Sequence, residues 1–243
     1  MMYTAASPDM ILAAYAEGIF PMAESADSPE FAFYRPVQRG QLSIPALRIP
    51  SRLRKTLRRA PFAVSVDRAF AAVVDGCADA SPVRRTTWIN PPIRDVFVKL
   101  HERGHAHSVE CWTHDGMLAG GIYGLAMGRV FCGESMFSRK TDASKIALVH
   151  LCARLSAAGF TVFDTQFINP HLIQFGAYEI AQEDYERLIV TEMRKPAHFK
   201  GVSVPQETLI RDYLSALGSA SGAAAGGGAS SSSRPVHPRT HTS

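Results

Sequence analysis

The feature that most constrains this chain is a pair of apolar runs that each break on polar residues. The first, VFCGESMFSRKTDASK from Val130 to Lys145, meets a glycine at 133 and a lone acid at Glu134. Met136 and Phe137 follow, then a polar segment that opens a helix. The second, FTVFDTQFIN from Phe160, carries Asp164, Gln166 and Asn169. Two strands ending this way are expected to deliver polar groups into one apolar cavity, which is how a protein seats an apolar group beside reactive chemistry. Alternation along a strand puts Asp164 and Gln166 on one face. An acid ending a strand is often a helix cap or a structural hydrogen bonder, but two polar side chains on an apolar strand are each costly to bury without partners. This reading requires both residues to face a lining formed by Phe131, Met136 and Phe163.

The surrounding pattern predicts an α+β fold, an antiparallel-rich sheet with helices on its faces. Ser7-Pro8-Asp9 opens a helix that Gly18 ends, and Ile19–Met22 leaves it as an extended apolar segment. Strands are expected near 31–34, 40–44, 62–66, 107–113, 117–125, 129–132 and 160–163. Helices are expected over 51–59, from Arg68 to Cys77 with Asp67 as its cap, 91–103, 144–157, 171–175 and 182–193. Residues 79–86 read as a polar connection. Gly120-Gly121 suggests a bulge or a close backbone contact. From about residue 213 the sequence turns to Ala, Gly and Ser, which predicts a disordered tail over 213–243.

Length and composition narrow the function. The chain has 243 residues, 46% hydrophobic and 20% charged, a globular composition. No apolar run is long enough to span a bilayer, and the N-terminus lacks the pattern of a signal peptide, so no membrane role and a cytoplasmic location are expected. Cys77, Cys111, Cys132 and Cys152 form no C-x-x-C pair and read as reduced, buried thiols. His101, His105 and His107 sit at a helix end and a turn, and a metal site is not expected there. Walker and Rossmann glycine patterns are missing, as is a nucleophile elbow.

The net charge is +4, and its distribution says more than its size. RIPSRLRKTLRR carries Arg48, Arg52, Arg54, Lys55, Arg58 and Arg59 with no acid among them. Such a run reads as a solvated helix face. It repels itself at i,i+4 unless something anionic lies near, and a nucleic-acid backbone would supply that. Glu134 reads either as a surface loop acid or, given its apolar flanks, as a carboxyl of raised pKa. Trp88 and Tyr15 are core aromatics by composition, and stacking platforms if a base is bound.

Taken together, YAEGIFPM (15–22), TWIN (87–90), LHERGHAHSVECW (100–112), GGIYGLAMGRVFCGESMFSR (120–139), DASKIALVHL (142–151) and FDTQFIN with FGAYEI (163–180) resemble the leucyl/phenylalanyl-tRNA–protein transferases. The resemblance implies a small N-terminal domain over 1–36 and a GNAT-like acyltransferase domain over 37–212. It implies transfer of Leu, Phe or Met from aminoacyl-tRNA to the N-terminal amine of proteins starting with Lys or Arg, feeding N-degron proteolysis. The enzyme is expected to act as a monomer. Asp164 and Gln166 match the catalytic pair, Asn169 a nearby polar contact and Glu134 an acid of the same site. Ile122, Phe131, Met136, Leu148, Leu151, Leu155 and Phe163 match the donor side-chain pocket. Tyr15, Met22 and Trp88 match positions that hold the terminal adenosine, and the basic helix a tRNA-backbone surface. Met22 stands where some members have tryptophan, and Phe97 where some have tyrosine. The donor ester is already activated, so no cofactor, metal or ATP is expected. The competing readings are a CoA-dependent acetyltransferase, disfavoured by the missing pyrophosphate loop, an RNA-binding module, and a ligase of cell-wall peptides.

Overall fold

The computed structural model describes residues 1–79 and 87–225, with side chains to residue 219. Ser7 caps α1 (Pro8–Ala16), its hydroxyl accepting the Met10 N–H at 3.1 Å. Gly18, at φ 78°, turns the chain into β1 (Phe20–Met22), which pairs antiparallel with β2 (Ala32–Tyr34). There follow β3 (Gln38–Leu42), α2 (Ser51–Arg58), β4 (Ala63–Val66), α3 (Phe70–Ala78) and α4 (Pro91–Glu102). Asn90 caps α4 by accepting the Ile93 N–H at 3.1 Å. The chain continues through β5 (Ala106–Trp112), β6 (Leu118–Met127), β7 (Val130–Ser138), α5 (Ala143–Ala157) and β8 (Val162–Gln166). It ends in α6 (Pro170–Ile173), β9 (Tyr178–Ala181), α7 (Gln182–Glu192), a 3-10 turn at Phe199–Gly201 and α8 (Gln206–Ala225).

Seven strands form a mixed sheet in the order β4-β5-β6-β7-β8-β3-β9. All neighbours are antiparallel except β7 and β8, whose parallel pairing is made possible by the α5 crossover. Apolar side chains of both faces are buried, which needs helices on both sides. One core joins the sheet to α2, α5 and α8 through Leu53, Leu148, Leu151 and Leu209. The other joins it to α1, α3, α4 and α7 through Ile11, Val73, Phe97 and Ile189. The α+β expectation therefore holds. Among the described residues no helix is long and apolar enough to cross a membrane.

Several local expectations fail, each for a physical reason. β7 does not stop at Cys132 but runs to Ser138, because β6 continues alongside it as far as Gly120. Asp67 does not cap α3. It sits at φ 56° and accepts the Ser108 N–H at 2.9 Å and His107 Nδ1 at 2.8 Å. The glycine pair, by contrast, behaves as expected: a Cβ on Gly120 would lie 2.6 Å from Phe137 O, and beside it Cys111 pairs with Gly120 but Trp112 with Leu118, which leaves Ala119 over. A second register shift, against β7, falls further on, between Tyr123 and Gly124. The tail expected from 213 starts as helix: Tyr213 and Leu217 are buried, and the Tyr213 hydroxyl donates to Ile44 O. Leu209, Tyr213 and Leu217 recur every four residues, an apolar stripe that the Ala, Gly and Ser content conceals. Most of the connection read at 79–86, and the tail beyond 225, lie outside the described residues.

Candidate active site

The parallel pair β7 and β8 is short. Val130 faces Val162, Phe131 faces Phe163 and Cys132 faces Asp164. Beyond these three pairs the strands part, β7 staying with β6 and β8 with β3. Each strand carries one extra residue where they separate. Tyr123 and Gly124 of β6 pair with Ser135 and Gly133, leaving Glu134 over. Gly40 and Gln41 of β3 pair with Gln166 and Asp164, leaving Thr165 over. Bulges re-aim side chains and end pairing, and they gather beside active sites.

A cavity of about 890 Å³ occupies this opening, large enough for an aminoacyl group and part of its carrier. Ile122, Met136, Phe137, Leu148, Phe163 and Leu172 form its apolar wall. Glu134, Trp88, Thr165, Phe167, Asn169 and His171 add polar and aromatic groups. Gly133 is needed at the junction, because a Cβ there would lie 2.6 Å from the Phe163 ring.

Of the residues expected at the donor pocket, Ile122, Met136, Leu148 and Phe163 line the cavity. Phe131, Leu151 and Leu155 do not, and are at most 1% exposed in the core behind it. They share the cavity's side of the sheet, but one layer deeper. Trp88 lines the cavity. The Ala23 N–H donates to Trp88 O at 3.1 Å, which brings the half-buried Met22 beside it. Tyr15 does not line it: the ring is fully buried, and its hydroxyl lies against the Glu134 carboxyl. Asn169 lines the cavity while its Oδ1 caps α6, accepting the Leu172 N–H at 3.0 Å.

The expectation that Asp164 and Gln166 face the Phe131, Met136 and Phe163 lining also fails. Neither residue lines the cavity. Alternation puts Asp164 on the face of β8 opposite Phe163, so both cannot face one side. Asp164 is wholly enclosed in hydrogen bonds. Its Oδ1 accepts Arg39 Nε at 2.8 Å and the Gln166 N–H at 3.0 Å. Its Oδ2 accepts Arg39 Nη2 at 2.6 Å and the Tyr185 hydroxyl at 3.1 Å. Gln41 Nε2 adds a contact at 3.4 Å.

Gln166 ends the strand at φ 56°, a left-handed conformation that a non-glycine residue adopts under constraint and that concentrates at functional sites. The bond from its N–H to Asp164 supplies that constraint. Its side-chain amide is satisfied when Nε2 donates to Gly133 O at 2.9 Å and Thr165 O at 3.2 Å. The reverse orientation aims the amide oxygen at those carbonyls and gains only a 3.3 Å bond to Asp164. The amide thus spans the fork between β7 and β8, and Asp164 braces it through the backbone.

Glu134 stands at the cavity wall with Oε1 buried and unpartnered. Desolvation pushes its pKa up to about 8, and the Asp164 charge adds to that, while the Tyr15 hydroxyl and Arg39 pull it down. It is therefore largely uncharged at neutral pH. Burial likewise pushes the Tyr15 hydroxyl and the Cys132 thiol well above their usual ranges. All four cysteines are free and buried.

The basic run lies apart from this network. Arg48, Arg52, Lys55, Arg58 and Arg59 are exposed, Arg54 is half-buried, and Leu53 anchors the helix. None of the six is ion-paired among the described residues. The stem of Arg48 leans on Gly176, where an added Cβ would meet Arg48 Cδ at 3.2 Å. That turn follows α6, which brings the basic surface close to the cavity mouth. Asp67, His101 and His107 do converge. However, His101 Nδ1 is engaged with Ala106 O at 2.8 Å, and Lys200 lies 3.9 Å from Asp67. A cation beside the carboxylate and an occupied imidazole nitrogen suit an ion-pair network rather than a metal.

Sequence reasoning missed Arg39, Gln41 and Tyr185 on the back face, and Thr165, Phe167 and His171 at the cavity. None lies in a glycine or proline motif. β3 reads QRGQL, so no apolar background marked Arg39 as buried.

A family model for the leucyl/phenylalanyl-tRNA protein transferases matches residues 42–190, and one for their N-terminal domain matches residues 5–36. A leucyl/phenylalanyl-tRNA–protein transferase of Rhodopseudomonas palustris (strain TIE-1) is 51% identical over 193 residues, 79% of this chain and 85% of that protein. One of Nitrobacter winogradskyi is 48% identical over 215 residues, 88% of this chain and 95% of that protein. A solved chain described as "The structure of L-PGS from Bacillus licheniformis" covers 88% of this chain and 72% of its own at 12% identity and a TM-score of 0.38.

Proposed function

The chain belongs to the leucyl/phenylalanyl-tRNA–protein transferase family, an enzyme family, and from that premise we propose how its site selects and joins the two substrates. The donor is leucyl- or phenylalanyl-tRNA, with methionyl-tRNA as a lesser one. The acceptor is the N-terminal amine of a protein beginning with Lys or Arg, and the product feeds N-degron proteolysis in the cytoplasm. The protein acts as a monomer, with a small domain over 1–36 and a GNAT-like domain from 37 to 212. The observation that carries this reading is the fork between β7 and β8. It opens an apolar cavity lined by Glu134 and Thr165, with Gln166 just behind the lining and bonded to Gly133 O.

The donor side chain sits against Ile122, Met136, Leu148 and Phe163. Burying a Leu or Phe side chain there is worth about 1.5–3 kcal/mol, roughly 10- to 150-fold at about 1.4 kcal/mol per decade. Rejection of isoleucine and valine therefore rests on clash with the wall. Trp88 and Met22 flank the terminal adenosine. The exposed cations from Arg48 to Arg59 meet the tRNA backbone.

The acceptor nitrogen must be neutral to attack. A free α-amino group has a pKa near 8, so about a tenth is neutral at pH 7. Its lone pair attacks the ester carbonyl carbon and forms the C–N bond. The bond from that carbon to the ribose oxygen then breaks, the oxygen takes up a proton, and the nitrogen gives one up. In this reading the Gln166 carbonyl oxygen turns from its place beside Asp164 Oδ2 toward the amine, accepts from it and aligns it. Alignment of this kind supplies effective molarities of roughly 10⁵–10⁸ M. Glu134 reads the cationic first side chain. It is neutral when the site is empty, and an arriving ammonium or guanidinium group draws its proton off.

The deciding test incubates the protein with radiolabelled leucyl-tRNA and a peptide starting with Arg. Extended peptide is expected. Binding of tRNA without any extended peptide would overturn the reading in favour of an RNA-binding module.

A further inference from the structure

Arg39 is fully buried on β3, between β8 and the edge strand β9, and has no place in the chemistry described so far. Its side chain and that of Asp164 are both 0% exposed. The guanidinium forks onto both carboxylate oxygens, Nε to Oδ1 at 2.8 Å and Nη2 to Oδ2 at 2.6 Å. The third nitrogen, Nη1, donates to Gly18 O at 2.9 Å. Its carbon lies over the rings of Phe20 and Tyr185, at 4.8 and 4.4 Å from their centroids. The group is thus held in plane by two aromatic faces and in direction by three polar contacts. A lysine, with a point charge and no fork, could not reproduce this arrangement.

The position of Arg39 in the chain adds a second observation. The family matches cover 5–36 and 42–190, and Arg39 falls between them. Its contacts reach into both: Gly18 and Phe20 in the first, Asp164 and Tyr185 in the second. Asp164 in turn holds the Gln166 N–H at 3.0 Å, with Gln166 at φ 56°. A continuous path therefore runs from the end of α1 through one side chain to the strained end of β8.

We propose that Arg39 is a positioning residue. It fixes Asp164 so that Gln166 is kept in its left-handed conformation across the fork, and it makes that geometry depend on docking of the N-terminal segment. This rests on the proposed role of Gln166 in aligning the acceptor amine. Arg39 touches no substrate, and the cavity wall formed by Ile122, Met136, Leu148 and Phe163 lies on the other face of the sheet. Its influence should fall on the transfer step and spare donor binding. Small misplacements of an aligning group far from the chemistry cost on the order of 100-fold.

The test compares Arg39→Lys and Tyr185→Phe with the unsubstituted protein, using leucyl-tRNA and a peptide starting with Arg. Circular dichroism fixes the folded fraction at the assay temperature. For Arg39→Lys we expect kcat per folded molecule to fall about 10- to 100-fold while KM for leucyl-tRNA stays within about twofold. Tyr185→Phe removes one hydroxyl, which donates to Asp164 at 3.1 Å and lies 3.5 Å from Arg39 Nη2, and should lower kcat by about threefold, again with KM unchanged. Unchanged kcat per folded molecule in Arg39→Lys would show a purely structural residue and overturn the proposal. A KM that rises in step with the loss would do the same. If Arg39→Lys does not fold, Tyr185→Phe decides alone, and full kcat in that variant overturns it. No transfer by the unsubstituted protein would bring down both this inference and the reading beneath it. Transfer by that protein with no effect of either variant would bring down this inference only.

Discussion

The two faces of β8 differ in kind. On one, Phe163 looks into an apolar cavity across from Met136 and Leu148. On the other, Asp164 lies in a closed network with Arg39, Tyr185 and Gln41. The first face is bound by shape, and shape can be relaxed gradually by removing methylenes. The second is bound by charge in a place without water, where losing one partner strands the other. If the donor sits as proposed, its selection can be tuned on the cavity face, whereas the back face must be kept whole or replaced whole. Gln166 sits at the end of the strand, with its N–H held by Asp164 of the charged face and its amide bonded to Gly133 at the cavity.

The contrast breaks if the charged face tolerates a deletion. Asp164→Ala leaves Arg39 buried and unpaired, and is expected to cost about 3–5 kcal/mol of stability and to abolish transfer. Urea denaturation and the radiolabel assay check this, and a variant of native stability would show that the network is not under tension. Gln166→Ala keeps Asp164 paired with Arg39 and removes only the amide. We expect kcat to fall roughly 100- to 1000-fold, the scale of losing one preorganised group at the reacting centre. Gln166→Glu with full activity would argue that a neutral amide is not required.

On the cavity face the effects should be smaller. Met136→Ala is expected to narrow the preference for leucyl over isoleucyl donors by about tenfold, the scale set by a few methylenes in a pocket. Competition between the two charged tRNAs reads this directly, and unchanged discrimination would move the selecting wall elsewhere. Glu134 stands between the faces. Its folded pKa of about 8 lies above the usual carboxyl value, so the folded state holds a proton that the unfolded state releases. Stability should accordingly decline from about pH 5 to pH 8. Glu134→Gln should flatten that decline and weaken the preference for Arg- over Ala-initiated peptides by a few-fold, most clearly above pH 8. A preference unaltered by the substitution would assign the reading of the cation to another group.

The basic helix should give the smallest effect of all. Lys55→Ala with Arg58→Ala removes two exposed cations, and the dependence of log affinity for tRNA on log salt should flatten by about 1.5. Transfer at saturating tRNA should remain, since neither side chain is near the fork.

Much of the site could be read before folding was known. Ser7-Pro8 and Asn90-Pro91 place two helix starts, and Gly18 and Gly159 two helix ends, because local chemistry decides them. Alternation correctly put Asp164 and Gln166 together. The same rule also puts Phe163 on the opposite face, so one cavity could not hold all three side chains. Glu134 was found as a lone acid in apolar surroundings, but its aim was not, because a bulge needs the partner strand to define which residue is extra. Tyr15 reads as a stacking platform only until α1 is seen packed inward. α8 was hidden because its apolar stripe has few residues and depends on α5 to bury it.

What the sequence determined by itself is the class of chemistry: an apolar seat, an amide and carboxyl pair on one strand, a basic helix, and a family pattern that ties them together. Those follow from residue type and spacing along the chain. Only the tertiary structure decided how the pair works. The carboxylate is turned away from the cavity and spent on Arg39, and the amide is held by Gly133, 33 positions earlier in the chain. The physical reason is that charge burial is a property of the three-dimensional surroundings. An acid's partners are whatever the fold places within hydrogen-bond reach, and for Asp164 those come from β3, β8 and α7 together.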